Sequence, residues 1–272
     1  MSPNPLKSLM IGVFLAMCAA LLIRPYWSHD IWWHIKCGEL ILKEHQWPSP
    51  DVFTCTVNGE PWLVHSWLSQ CILYVTDSLV GQAGLQAWDT LLRVVFVTLV
   101  WLASGRLPGG LGVRLLATAN AAFLCATLES RPHIAVPIFL LLLATSRNLC
   151  HPDKKVPLWT IPLMALWSNI HPSMLLGQFF LGVCLAQRIV SNRKPGRDSL
   201  VITAAILAGF LNPYHFRLIH FALFENRAYE FVTIREWLSP FTVLPESFID
   251  VLVLVANTVL FFYICERTLI WQ

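Results

Sequence analysis

The chain has 272 residues, of which 56% are hydrophobic and only 13% are charged. A soluble domain carries about 25% charged residues, so the composition excludes an ordinary water-facing surface and predicts that lipid surrounds much of the chain. The net charge of +3 comes without a run of Lys or Arg, which excludes the basic surface typical of nucleic-acid-binding proteins.

The apolar segments predict an all-α polytopic membrane protein, with about eight membrane helices in a single transmembrane domain over residues 1–272. Several segments are shorter than the roughly 20 residues that cross a bilayer. Short or Pro-broken helices are common where a helix lines a cavity rather than lipid. In chain order the candidate spans are 8–24, 86–104, 112–128, 133–149, 156–169, 173–190, 199–211 and 249–265.

The first apolar segment has two interpretations. It follows Lys7, a pattern that also fits a secretory signal peptide. A small-x-small cleavage site does not follow, because the next residues are Arg24, Pro25, Tyr26 and Trp27. We therefore predict an uncleaved first span.

Three further segments are predicted to be ordered, although they are more polar than a span. The stretch 65–80 is apolar but carries His65, Gln70 and Asp77, which predicts an interfacial or re-entrant helix before the second span. The long segments 25–64 and 212–248 mix aromatic residues with acids and histidines. Neither has the low complexity of a disordered linker.

The distribution of positive charge predicts a cytoplasmic N-terminus. In this orientation the inner loops and tails hold eleven of the nineteen Lys and Arg residues, as the positive-inside rule requires. The long segments 25–64 and 212–248 are then outer loops. Every histidine except His151 falls on the outer side or at its boundary. Polar chemistry gathered on one face predicts one site that opens to that side.

The most informative stretch is Asp30-Ile31-Trp32-Trp33-His34, directly after the first span. A carboxylate at that depth is costly unless it is paired or functional. On a helix, Asp30 and His34 share a face at i and i+4, which suits an acid–base pair or a metal site. The alternative, which composition alone favours, is an interfacial helix that Asp30 caps and that leaves His34 solvated.

Related motifs follow along the chain between about residues 20 and 250. They are Pro-Ser-Pro-Asp-Val-Phe-Thr at 48–54, Trp-x-x-His-x-Trp-Leu at 62–68, Ser-Arg-Pro-His at 130–133, Trp-Ser-Asn-Ile-His at 167–171, Leu-Asn-Pro-Tyr at 211–214 and Glu-Trp-Leu-Ser-Pro at 236–240. Together with residues 30–34, these motifs resemble a group of bacterial multipass proteins that is similar to the GT-C glycosyltransferase superfamily.

The resemblance implies a GT-C-like helix bundle in a bacterial inner membrane, with its site open to the periplasm. Such enzymes transfer a sugar, with inversion, from a polyprenyl-phosphate carrier to an acceptor. An acid in the first outer loop acts as base, sometimes with a divalent metal. The matching acid is Asp30, and His34 beside it is the second catalytic candidate. The partners implied are the lipid-linked sugar donor and membrane lipid. No metal ligand is assigned, and the need for a metal stays open.

The resemblance also implies a set of substrate-binding residues, namely His65, Arg131, His133, Asn169, His171, Asn212 and Glu236. Arg131, Asn169, His171 and Asn212 each have a structural alternative. Arg131 would grip a phosphate with its fork of donors, or would snorkel to the interface. The residues at helix ends would bind sugar hydroxyls, or would cap the spans.

The chain departs from the resembled group at three points, and two of them, Ser66 and the short C-terminus, favour an alternative function. The group often has Glu at the position of Ser66 and Gln at that of His133. GT-C enzymes usually continue with more helices or a soluble domain after the last span. The chain is therefore expected to be a fragment, a short form, or a non-catalytic membrane subunit whose protein partner supplies the missing C-terminal part.

Two residue pairs are left open by the sequence. Asp89 and Arg93 lie one helical turn apart within the second span. They would form a buried ion pair, or Arg93 would meet a lipid phosphate. Cys37 and Cys55 fall in one polar segment and would form a disulfide or remain thiols.

Overall fold

The computed structural model describes residues 5–23, 28–55, 58–107, 109–127, 129–146, 148–149, 151, 154–192 and 196–224. The regular structure in these ranges is helical, and one isolated bridge joins Pro50 to Pro61. The chain divides into two compact units. The first takes the described residues of 1–24 and 93–128, and the second takes those of 25–92 and 129–225.

The first unit is built on α1 (Pro5–Leu22) and α5 (Gly110–Thr127), which pack against each other. The C-terminal part of α4 (Gln82–Ser104) joins them. Small residues in the shared core let helical backbones approach closely. The buried core residues are Cys18, Leu22, Val97, Ala121, Ala122 and Cys125.

The second unit contains the remaining helices and the first part of α4. They are α2 (Ile31–Leu42), α3 (Trp67–Val80), α6 (Val136–Ala144, after a 3-10 turn at Pro132–Ala135), α7 (Thr160–Ile170), α8 (Met174–Asn192), α9 (Arg197–Ala208) and α10 (Phe216–Leu223). The core is centred on Trp167, which is fully buried. Gly177 admits this ring, because a Cβ at that position would lie 2.6 Å from it.

Helices α2 and α3 pack closely and run in the same direction. A Cβ on Gly38 would overlap the Gln70 carbonyl and lie 2.7 Å from Tyr74 Cβ. One turn earlier, His34 meets the Gln70 side chain. Moving from His34 to Gly38 along α2 therefore shifts the contact from Gln70 towards Tyr74 along α3, in the same direction. The N-termini of both helices therefore lie at one end of the pair.

The described helices match the positions of the predicted spans but not always their lengths. Among the described residues, three helices are long and apolar enough to cross a membrane: Pro5–Leu22, Gln82–Ser104 and Met174–Ser191. Helices α6, α7 and α9 have 9, 11 and 12 residues, which is too short for a hydrocarbon core of about 30 Å at 1.5 Å per residue. The predicted helix in 65–80 is confirmed as α3. The candidate span 249–265 lies outside the described residues.

The structure decides one of the two open residue pairs. Cys37 is buried and Cys55 is exposed, and both are free thiols, so the disulfide between them does not form. Asp89 and Arg93 are both buried, at 4% and 1% exposure.

Candidate functional site

The carboxylate of Asp30 forms an ion pair and does not cap a helix. Asp30 occupies the N-cap position of α2, yet its side chain makes no capping hydrogen bond. Its Oδ2 lies 3.3 Å from Nε of Arg131. The capping interpretation of Asp30 is therefore wrong, and the residue is joined to a distant motif.

Arg131 lies between two carboxylates. Its Nε is 2.8 Å from Oε2 of Glu129 as well as 3.3 Å from Asp30. The other oxygen of Glu129 lies 3.6 Å from Nδ1 of His29. Pro132 starts the 3-10 turn that follows, and it holds Arg131 in extended backbone at this position. Arg131 is thus fixed by acidic partners, in contrast to a freely snorkelling side chain.

His34 points to α3 and not to Asp30. Its ring is buried, with 5% exposure, and Nδ1 lies 3.2 Å from Nε2 of Gln70. Burial is the largest cause that lowers the pKa of His34 to about 3, and electrostatic interactions with His65, Arg131, His171 and His133 contribute to the same shift. The predicted i, i+4 acid–base pair is therefore replaced by a neutral imidazole held by Gln70.

Three more histidines gather beside one another in the second unit. The ring centroid of His171 lies 6.4 Å from that of His65 and 6.5 Å from that of His133. His65 also stacks on Phe221 of α10, at 5.3 Å. The structure thus brings together His65, His133 and His171, and all three act electrostatically on His34.

Burial keeps two of these histidines uncharged. It lowers the pKa of His65 to about 4 and that of His171 to about 3. Nδ1 of His171 accepts a hydrogen bond from the backbone N–H of Ser173, at 3.1 Å. A neutral imidazole that accepts at Nδ1 carries its proton on Nε2, so His171 presents a donor at the far side of its ring.

Asn169 and Asn212, which were expected to bind substrate, form hydrogen bonds within the protein. Oδ1 of Asn169 accepts from the Trp67 indole at 2.7 Å, and its Nδ2 donates to the carbonyls of Ala165 and Leu211 at 2.7 and 2.8 Å. These bonds tie α3, α7 and the segment after α9 together.

Asn212 has a local structural task. It is buried, its Oδ1 accepts from the backbone N–H of Tyr214 at 2.9 Å, and its Nδ2 lies 3.2 Å from the Gly209 carbonyl. We therefore assign Asn169 and Asn212 to the scaffold of the site. Glu236 lies outside the described residues.

Tyr214 is a positioning residue that the sequence motifs did not single out as one. Its hydroxyl accepts hydrogen bonds from Nε1 of Trp47 at 2.8 Å and from the backbone N–H of Val64 at 2.9 Å. The loop before α3 is thereby fixed to the segment before α10. The signal for Tyr214 in the sequence is the Leu-Asn-Pro-Tyr motif, from which only Asn212 was predicted to have a role in the site.

The donor set near Asp30 does not fit a divalent metal. Its carboxylate faces the guanidinium of Arg131, a cation that would repel a metal ion. In the part of the chain that the structure describes, no three His, Cys, Asp or Glu side chains are grouped to hold a metal ion. We therefore derive no chemical step through a metal.

Comparisons with known protein families, with curated proteins and with solved structures find no match to this chain. The geometry of the site is consequently the basis for its functional interpretation.

Proposed function

We propose that the chain is a GT-C-like membrane glycosyltransferase with about eight membrane-embedded helices, in which Asp30 is the catalytic base. The observation that carries this proposal is the Asp30–Arg131 contact of 3.3 Å. This contact joins the first sequence motif to the Ser-Arg-Pro-His motif, and the Asp30 carboxylate makes it instead of capping α2. The donor would be a sugar on a polyprenyl phosphate, and the site would open to the periplasm of a bacterial inner membrane.

The proposed reaction is a single inverting displacement. The Asp30 carboxylate takes the proton of an acceptor hydroxyl as the acceptor oxygen attacks C1 of the donor sugar. The C1–oxygen bond to the phosphate breaks, and its electron pair leaves with the polyprenyl phosphate. Arg131 fixes the direction of the carboxylate and supplies the cation nearest to the developing phosphate charge.

The neutral histidines complete this assignment. A site that handles both a carboxylate base and a phosphate leaving group gains from hydrogen-bond donors that add no net charge. His171 presents such a donor at Nε2, and His65 and His133 lie beside it. We assign these three residues to the binding of sugar hydroxyls.

The test is sugar transfer from a polyprenyl-phosphate donor by Asp30→Asn protein in membranes. We expect a loss of about 10²–10⁴-fold in rate, the usual contribution of a general base. Glu129→Gln is the matched control, because Glu129 contacts the same Arg131 nitrogen and has a similar exposure, 31% against 35%. It should retain most of the activity.

Two results would contradict the proposal. Equal losses in Asp30→Asn and Glu129→Gln protein would mean that the ion pairs only stabilise the fold. A wild-type chain that transfers no sugar from any polyprenyl-phosphate donor, but becomes necessary for transfer when a second protein is present, would favour the non-catalytic subunit.

A further inference from the structure

Within residues 62–70, the stretch whose last residue contacts His34, three polar atoms are buried without a hydrogen-bond partner: Trp62 Nε1, Ser66 Oγ and Gln70 Oε1. Ser66 and Gln70 are almost wholly buried, at 1% and 0% exposure. Buried polar groups in folded proteins nearly always have a protein or water partner, and each exception needs a reason. Three exceptions within nine consecutive residues point to a group that these atoms would bind.

Ser66 and Gln70 share one face of α3. Ser66 is the N-cap residue, but its side chain makes no capping bond, and Gln70 lies one turn further on. The Gln70 amide meets His34 Nδ1 with one end, at 3.2 Å. Whichever end of the amide faces His34, the other end is left buried without a partner.

Trp62 approaches the same place from the loop before α3. Its ring lies 5.6 Å from that of Trp33, edge to face, and 5.6 Å from that of Phe53. The Trp33 ring in turn lies 3.7 Å from the ring of His34. Trp62 is therefore joined through the Trp33 ring to His34, the residue that Gln70 contacts.

The chemistry of these groups selects a polyhydroxylated ligand. The indole offers a donor, the amide oxygen an acceptor and the serine hydroxyl both. None of the three is charged, so these atoms themselves supply no counter-charge to a phosphate or a carboxylate. Hydroxyl groups satisfy donors and acceptors together, while the C–H faces of a sugar ring pack on aromatic rings.

We propose that Trp62, Ser66 and Gln70 form a carbohydrate subsite that binds hydroxyl groups one helical turn from Asp30. It rests on the proposed function for its substrate, and it adds that the sugar or acceptor at this position carries at least two free hydroxyls. Gln70 is the specificity residue, because His34 fixes its amide on one side.

The experiment measures binding of methyl glycosides, without turnover. Wild-type protein in lipid nanodiscs free of sugar detergents is titrated with methyl glucoside, galactoside, mannoside and arabinofuranoside by ligand-observed NMR. Ser66→Ala and Trp62→Phe should each weaken binding of the preferred glycoside by about 5- to 10-fold, the loss expected for one neutral hydrogen bond. Ser69→Ala is the matched control, because Ser69 already donates to the Ile170 carbonyl at 3.0 Å.

Thermal unfolding of the ligand-free variants separates binding from folding. Ser66→Ala removes a hydroxyl without a partner and should leave the unfolding temperature unchanged or higher, whereas Ser69→Ala should lower it. Glycoside binding that Ser66→Ala and Trp62→Phe both leave intact would overturn the proposal. So would the absence of binding by all four glycosides, which would mean that the three atoms hold ordered water only.

The result is independent of the transferase test. Glycoside binding through Ser66 by a chain that transfers no sugar would retain the subsite and reject the enzyme. Sugar transfer that is insensitive to Ser66→Ala and Trp62→Phe would retain the enzyme and reject the subsite.

Discussion

His34 illustrates what burial does to a single side chain in this protein. Its folded pKa of about 3 lies far below the ordinary value of 6.5, chiefly because of burial. Between about pH 6.5 and pH 3, His34 therefore binds a proton in the unfolded chain but not in the folded chain. The stability associated with this neutral ring is complete above about pH 6.5 and is lost as the pH falls towards 3.

We predict that the free energy of unfolding falls as the pH is lowered from 6.5 to 4.5, with His34 contributing up to about 1.4 kcal/mol per pH unit. His34→Gln removes the titrating group but keeps a side chain that can bond to Gln70, so the pH dependence should become shallower. The measurement is thermal or denaturant unfolding in detergent across this pH range.

The control for this prediction is His220→Gln, since His220 is exposed on α10. That variant should follow the wild-type curve. A His34→Gln protein with the same pH dependence as wild type would show that His34 is accessible to protons in the folded state.

Single residues also show where the sequence was informative about the site. Asp30 was identified from its position after an apolar segment, because a carboxylate at that depth needs a partner. The partner itself, Arg131, lies in another motif, and periodicity does not report such a contact. The hydrogen bonds of Asn169 could not be predicted for the same reason: those to Trp67 and Leu211 cross 102 and 42 positions of the chain.

At the scale of the helices, the close packing of α2 on α3 depends on Gly38. The missing side chain of Gly38 permits it, because a Cβ would lie 2.7 Å from Tyr74 Cβ. Gly38→Ala should therefore push the helices apart and destabilise the protein by about 1–3 kcal/mol. Sugar transfer should fall as well, since α2 carries Asp30 and His34. Unfolding in detergent and the transfer assay measure the two effects.

Gly182 of α8 provides the opposite case. A Cβ there would meet nothing within 4 Å. Gly182→Ala should stabilise the helix by about 0.5–1 kcal/mol, because alanine loses less backbone freedom than glycine on folding. A Gly38→Ala protein as stable as Gly182→Ala protein would mean that α2 and α3 have room to adjust.

The helices also show which part of the fold the sequence could predict. Hydropathy found an apolar segment at each described helix from α3 to α9, because apolar runs are local. It overestimated the lengths of α6, α7 and α9, since apolar residues continue beyond the helix ends into the adjoining turns. Arg188 is a related case: it is one of the eleven Lys and Arg residues that the positive-inside rule assigns to the cytoplasmic side, but it is 2% exposed, and its Nε donates to the Leu149 carbonyl at 2.7 Å.

For the whole molecule, the orientation in the membrane is the main prediction that remains to be tested. Cys55 is an exposed free thiol in the segment predicted to be periplasmic. A membrane-impermeant maleimide should label it in intact cells with the outer membrane opened. The labelling that remains in Cys55→Ser protein measures the background from the other cysteines.

A cysteine introduced by Ser191→Cys is the complementary probe. Ser191 is exposed near the C-terminal end of α8, on the predicted cytoplasmic side. In a Cys55→Ser background it should react only after the inner membrane is permeabilised. The reverse pattern at both positions would place the N-terminus outside, and the site around Asp30 would then face the cytoplasm.

The ion pair between Asp30 and Arg131 also sets an order of events during synthesis. At about 5–20 residues per second, the ribosome adds the arginine roughly 5–20 s after the aspartate. Until then the carboxylate lacks this cation, and entering the bilayer uncompensated would be costly. We therefore expect the start of α2 to wait at the aqueous surface during translation, and the pair to close only when the Ser-Arg-Pro-His segment emerges. The part of the site that is translated first would be among the last to assemble.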